Sequence, residues 1–268
     1  MHAMEEFMKK IIHVIAIILI VALLFTFAAC TSVEDIDSFY KTAKDSASYT
    51  VTMEFQIKVP VLSTPATLTV IQKAQANKTY TTMYLDPVTR SSLSLLGMVS
   101  SELEGLKGLA EVYESYAEEM ESTIIFYTKT ENEFGEVVWE ADTVDKVDVS
   151  ATKLSVSTVQ GIKSLVERVL NKDLYYYDSK ASAFLTIDNN PLVVYTIQEN
   201  AVQIFGMGIS LSNVKLVIEE GKVATITGDL IGAIGATSST FDFSSLPTKA
   251  TIKIHNINST TVVIPAVA

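Results

Sequence analysis

A single cysteine, Cys30, occurs in the 268 residues of this chain, and that count limits what can hold its fold together. Neither an internal disulfide nor a cysteine-rich zinc site can form. Stability has to come from buried apolar surface, and with 48% hydrophobic residues the supply is ample. Much of it is β-branched Val and Ile, accompanied by many Thr, a mixture that favours strands wetted on one face. Composition therefore points to sheet.

The position of Cys30 carries a second message. An apolar run from Ile11 to Phe27, interrupted by His13 and Thr26, follows Lys9 and Lys10 and ends in Ala28-Ala29-Cys30. A basic start, an apolar stretch and small residues before a cut are the three parts of a secretory signal. The segment resembles the bacterial lipoprotein signal, whose lipobox is usually Leu, two small residues and Cys; Phe27 stands here where Leu is usual. The resemblance implies a signal peptide over 1–29, a mature domain over 30–268, and lipid attachment at the Cys30 thiol. The mature protein would then be held on the extracytoplasmic side of the cell membrane by its acyl chains. An uncleaved helix is the alternative, since roughly 20 apolar residues span a bilayer. Against it stand the place of Cys30 at the end of the run and the polar Thr31-Ser32-Val33-Glu34-Asp35 directly after it. Glu5 and Glu6 are unusual in a basic start, and a start at Met8 reads as a more typical signal.

Charge narrows the partners. Residues 1–29 hold two lysines and two acids, so the exported part keeps the whole net charge of -11. A surface of that sign repels phosphate backbones and anionic headgroups. Nucleic acid is excluded as a natural partner, and membrane contact falls to the lipid.

Catalytic chemistry is thinly supplied. Beyond residue 29 the only histidine is His255, and no GxSxG, HExxH or GxxxxGK[ST] pattern occurs. Asp142, Asp145 and Asp148 recur every third residue but lack the glycine and terminal Glu of an EF-hand loop. Consecutive strand residues alternate faces, so Tyr175-Tyr176-Tyr177 form no single platform; Tyr175 and Tyr177 share one face. No cofactor, metal or catalytic residue is expected.

Periodicity lays out the elements. Residues 33–46 place Ile36, Phe39, Tyr40 and Ala43 at helical spacing, acids first and lysines last, as the helix dipole prefers. The period then changes to two. Val51, Met53, Phe55 and Ile57 alternate with Thr52, Glu54, Gln56 and Lys58 in the cleanest strand of the chain. Strands are also expected at 66–75, 79–85, 122–131, 174–178, 183–188, 209–220, 222–231, 239–243, 250–257 and 260–265. Residues 92–122 read as a helical pair or broken helix, 137–149 as a hairpin or loop around Trp139, and 157–171 as a helix. Helix followed by meander thus occurs twice, without a residue-level repeat.

A lipid-anchored, disulfide-free domain that opens with a helix and continues as an antiparallel meander resembles the LolA/LolB and LppX/LprG lipoprotein superfamily. The resemblance is one of layout over nearly the whole mature chain. It implies an α+β fold, a curved, half-open antiparallel sheet partly covered by helices, with an apolar cavity for acyl chains. A binding or carrier lipoprotein for a lipid or other apolar ligand is the first functional expectation, with Val51, Met53, Phe55 and Ile57 lining the cavity. Packing of those residues under the helices is the plainer alternative, and with it a surface protein that binds another protein. An envelope enzyme ranks third.

Cys30→Ser removes the acceptor thiol and is expected to abolish acylation and lipoprotein-type maturation. Detergent partitioning and mass spectrometry of the mature N-terminus check this; a wild-type protein that keeps residues 8–29, or is released without lipid, contradicts it.

Overall fold

A computed structural model describes residues 32–57, 65–99, 112–131, 134–146, 158–195, 209–231 and 249–267. Cys30 and the expected strand at 239–243 lie outside the described residues. Residues Val33–Ala268 form one compact unit. Among the described residues no helix is long and apolar enough to cross a membrane.

The first element is the expected amphipathic helix, α1 (Val33–Asp45), which buries Ile36, Phe39 and Ala43. Strands β1 (Ser48–Ile57), β2 (Ala66–Gln75) and β3 (Lys78–Leu85) follow as an antiparallel meander. Asp86 then starts a helix, α2 (Pro87–Val99): its Oδ1 accepts from the Thr89 backbone N–H at 2.9 Å and its Oδ2 from the Thr89 hydroxyl at 2.6 Å. Pro87 suits the first helical position, because its missing N–H would have no intrahelical partner there. Strands β4 (Tyr113–Glu119), β5 (Thr123–Glu131) and β6 (Val137–Asp145) extend the meander. After helix α3 (Val159–Val169) come the short strands β7 (Tyr175–Asp178), β8 (Ala183–Thr186) and β9 (Leu192–Tyr195), then β10 (Ile209–Glu219), β11 (Val223–Ile231) and β12 (Lys249–His255).

All twelve strands belong to one open antiparallel sheet, ordered β6-β5-β4-β3-β2-β1-β12-β11-β10-β8-β7, with β9 also paired to β10. The fold is α+β. The two helix-plus-meander cycles merge into this one sheet, because β1 pairs with β2 on one side and with the last strand, β12, on the other. Val51 faces Gln72 and Ile254, Met53 faces Val70 and Ile252, and Phe55 faces Leu68 and Ala250. This inner face joins Ile36 and Phe39 of α1 and Ile162, Leu165, Val166 and Val169 of α3 in one core. A separate small cluster, Ala117 and Ile124 with Phe126 and Val144, sits on β4 to β6.

Strand β10 breaks its own alternation. Its inward residues are Ile209 and Leu211 before a register shift, and Val214 and Leu216 after it. A β-bulge between Ser212 and Lys215 inserts the residue that changes parity, with Asn213 at φ 49°. On the neighbouring strand only glycine fits: a Cβ on Gly228 would lie 2.8 Å from the Ser212 carbonyl oxygen and 3.1 Å from Leu211 Cβ. The β10–β11 turn carries φ 50° at Glu220 and 64° at Gly221, the positive pair that matches hairpin twist.

Four expectations need correction. Residues 113–119, expected to be helical, form β4, whose Ser115 and Ala117 are buried at alternate positions. The helix of that region instead starts earlier, at Pro87. The stretch around Trp139 is strand β6, paired along its length with β5. Residues 260–265 form no strand; the tail is tied down by side chains, with Thr260 N–H donating to Ser48 Oγ (3.2 Å) and Val262 N–H to Gln75 Oε1 (2.7 Å). That contact also buries Thr50, whose hydroxyl lies 2.7 Å from that of Thr260.

Asp86→Ala is expected to cost about 1 kcal/mol, within the ~0.5–2 kcal/mol range of lost N-caps. Burial opposes ionisation of Asp86, but hydrogen bonds from Thr89, Thr67 and Val88 outweigh it and hold the carboxyl below its usual range. With a depressed folded-state pKa, the contribution is present above the ordinary carboxylate range and lost as pH falls through the lowered value. Urea unfolding of both proteins between pH 7 and pH 2 should show the gap closing only in acid.

Candidate functional site

Three of the sequence-nominated residues, Val51, Met53 and Phe55, occupy one line on the inner face of β1. Successive odd positions stand about 7 Å apart along a strand, so Tyr49, Val51, Met53 and Phe55 form a row about 20 Å long. All four are buried, at 3%, 0%, 1% and 4% exposure. Ile57 ends the strand, paired with Ala66. Around the row lie Leu68 and Val70 of β2, Ile252 and Ile254 of β12, and Ala224 and Ile226 of β11, all buried. One polar side chain interrupts them, Gln72, opposite Val51 and fully buried.

Both helices reach this face. Thr158 caps α3 by accepting from the Gly161 backbone N–H at 3.1 Å. Farther along, Arg168 Nη1 donates to the Val194 carbonyl at 2.8 Å and ties α3 to β9. Tyr175 adds a second tie, its hydroxyl donating to the Val169 carbonyl at 2.7 Å. Burial raises the Tyr175 pKa, which keeps that donor protonated. Tyr177 packs edge-on against Phe184 at 5.4 Å, while Tyr176 on the other face is exposed.

The opposite face of the sheet is polar but organised. Tyr80, Tyr116 and Trp139 stack across β3, β4 and β6 with centroid separations of 4.8 and 5.1 Å. Lys73 lies 5.3 Å from the Tyr80 ring centre and Lys129 the same distance from that of Trp139. Glu114 sits between them, accepting from Tyr80 Oη at 2.8 Å and ion-paired with Lys129. Burial, then the bond to Glu114, pushes Tyr80 up to about 12. Desolvation opposes charge on Glu114, but bonds from Lys129 and Tyr80 hold it below its usual range. Farther along the face, Glu54, Gln56, Asn213, Lys215, Asp229 and Lys249 border a polar trough of about 370 Å³. Asn213 there donates to Asp229 at 2.8 Å.

Other nominated residues stay apart. Asp142 and Asp145 are exposed on β6, and their odd spacing sends them to opposite faces; Asp148 lies outside the described residues. His255 Nε2 lies 2.9 Å from the Thr52 hydroxyl on the polar face. Sequence reasoning missed the aromatic ladder because Tyr80, Tyr116 and Trp139 are scattered along the chain. Alternation within β4 groups Tyr116 with Glu114 and Glu118, but only the register across β3 to β6 brings the three rings to one face.

No protein-family model matches this chain, and a search of curated proteins likewise found no match.

The two faces should respond differently to truncation. Met53→Ala is expected to cost ~2–5 kcal/mol, as for a fully buried side chain. Trp139→Ala gives up partly exposed ring contacts worth ~0.5–1.5 kcal/mol beyond area. Denaturant unfolding followed by circular dichroism checks the ranking, which equal losses would contradict.

Proposed function

We propose that this chain is a lipid-anchored lipoprotein of the cell envelope that binds or carries a lipid or other apolar ligand without catalysing a reaction on it. Acyl chains on Cys30 provide the membrane contact, and one chain alone would hold only marginally, at about 0.8 kcal/mol per buried CH2. The observation that carries the reading is the combination of an open twelve-stranded sheet with a broad apolar face under short helices. A sheet of this width with unjoined ends need not close around its core. In this reading it is a curved, half-open wrapper whose inner face parts from the helices to admit an acyl chain.

A second reading has its own observation. Val51, Met53 and Phe55 are almost fully buried, as expected of a filled core. A lipoprotein with such a core would act through its surface, and the organised polar face would then meet a protein partner.

Phe55→Ala separates the two. In a carrier, it weakens saturable uptake of a fluorescent fatty acid and costs less than the ~3–5 kcal/mol typical of truncating a core Phe. Binding and denaturant unfolding are measured on wild type and variant together. A full core-sized loss of stability, with no saturable uptake by the wild type, moves the interaction reading into first place.

A further inference from the structure

Strand β6 ends the sheet. It pairs with β5 over all nine of its residues, Val137–Asp145, and among the described residues no strand lies along its other side. Edge strands are commonly short, bulged, or interrupted by proline or lysine, because a free row of N–H and C=O groups is a template for another chain. β6 has none of these features. Its register with β5 runs unbroken from Glu131↔Val137 to Thr123↔Asp145, and VVWEADTVD holds neither proline nor lysine. The opposite edge of the sheet, β7, is only four residues long.

The pairing fixes which backbone groups face outward. Lys146 N–H donates to the Ser122 carbonyl at 2.8 Å. These directly opposite residues therefore form a hydrogen-bonded pair, and in an antiparallel ladder such pairs alternate with non-bonded ones. The even residues of β6 bond to β5, while Val137, Trp139, Ala141, Thr143 and Asp145 turn their N–H and C=O groups to the free edge. Side chains add a sign. Glu140 and Asp142 are exposed on one face, where β5 sets Thr128 opposite Glu140 and Phe126 opposite Asp142. Neither acid has a cation across from it, and among the described residues neither is ion-paired. A strand laid along the free edge meets both acids at non-hydrogen-bonded positions, where facing side chains come closest.

A second copy of this chain fits that edge poorly. Two antiparallel β6 strands related by a twofold axis keep each face with itself, so residues of equal parity meet. The central registers set Glu140 against Asp142, Glu140 against Glu140 or Asp142 against Asp142, and like charges directly opposite are destabilising. We infer that the free edge of β6 takes an extended segment of a partner protein as an added strand, one with Lys or Arg at alternate positions opposite Glu140 and Asp142. Backbone hydrogen bonds supply the affinity in this mode of recognition, and alternate side chains supply the specificity. The inference stands apart from both readings of function above, since it uses the sheet edge and neither the main core nor the polar face.

The test is fluorescence anisotropy with the full-length protein in neutral detergent and a labelled peptide of alternating Lys and Thr, as long as β6. Three control peptides accompany it: one with Glu in place of Lys, one of the same composition with its lysines consecutive, and one N-methylated at the Thr residues, whose N–H groups would face β6. Saturable binding is expected of the alternating peptide and not of the controls. Ala141→Pro removes an outward N–H without breaking a bond to β5, a place where an edge strand tolerates proline. It should fold as wild type does by circular dichroism and lose the peptide. Glu140→Gln combined with Asp142→Asn, at exposed positions, should raise Kd about tenfold through two lost cross-strand pairs, and serves if Ala141→Pro fails to fold. The inference is overturned if the alternating peptide does not bind, or if the folded variants bind it as wild type does. Equal binding of the N-methylated or consecutive-lysine peptide, the outcome for charge attraction alone, also overturns it. So does a wild-type dimer in sedimentation that Ala141→Pro abolishes, since a second copy would then hold the edge.

Discussion

The pairing of β1 on both of its edges is the constraint on which the rest of the structure depends. One edge is taken by its neighbour in sequence, β2, and the other by the last strand, β12. The first contact is local and the second spans most of the chain, so the large inner core is complete only when the C-terminal strand arrives. Without β12 one edge of β1 would be an open template for pairing with other chains. The tail beyond β12 strengthens the closure, because Asn258 and Thr260 bond to Ala47, Ser48 and Thr50 at the start of β1.

The strands that share the main core, β1 to β3 and β7 to β12, must keep their apolar side turned inward, and β10 shows how one irregularity serves that end. The bulge at Ser212 to Lys215 reverses the parity of the inward positions, so that Leu211 and Leu216 both reach the core although their spacing is odd. Gly228 accepts the resulting close approach of the Ser212 carbonyl. Asn213, in the left-handed region, uses its side chain to hold Asp229 on the opposite face. A local defect in alternation therefore preserves the global one.

The two faces divide the chemistry. Over β1 to β3 and β7 to β12 the inner face is mostly apolar and continuous with α1 and α3, whereas the outer face carries the aromatic ladder, the Glu114 pair with Lys129 and the polar trough. At the boundary, where α1 and α3 meet the start of β1, Tyr49 is buried beside a crevice that Lys44 of α1 and Lys163 of α3 also border.

Much of the sheet was legible because alternation is a local signal. Val51, Met53 and Phe55 declare their face within a single strand, and the spacing of Ile36, Phe39 and Ala43 does the same for α1. The acidic stretch at 113–119 was misread because its apolar residues are few and its strand character comes from pairing with β3 and β5. Trp139 misled for a related reason: β6 is an edge strand with one neighbour, so much of its surface stays polar. The sequence by itself determined the absence of disulfides, the amphipathic strands and the α+β class, since each depends on residue identity or short-range period. Strand order, the burial of Thr50 under the tail, the parity change in β10 and the burial of Tyr49 were decided only in three dimensions. Each depends on which distant segment comes to rest against it, and a period-two pattern carries no information about that neighbour.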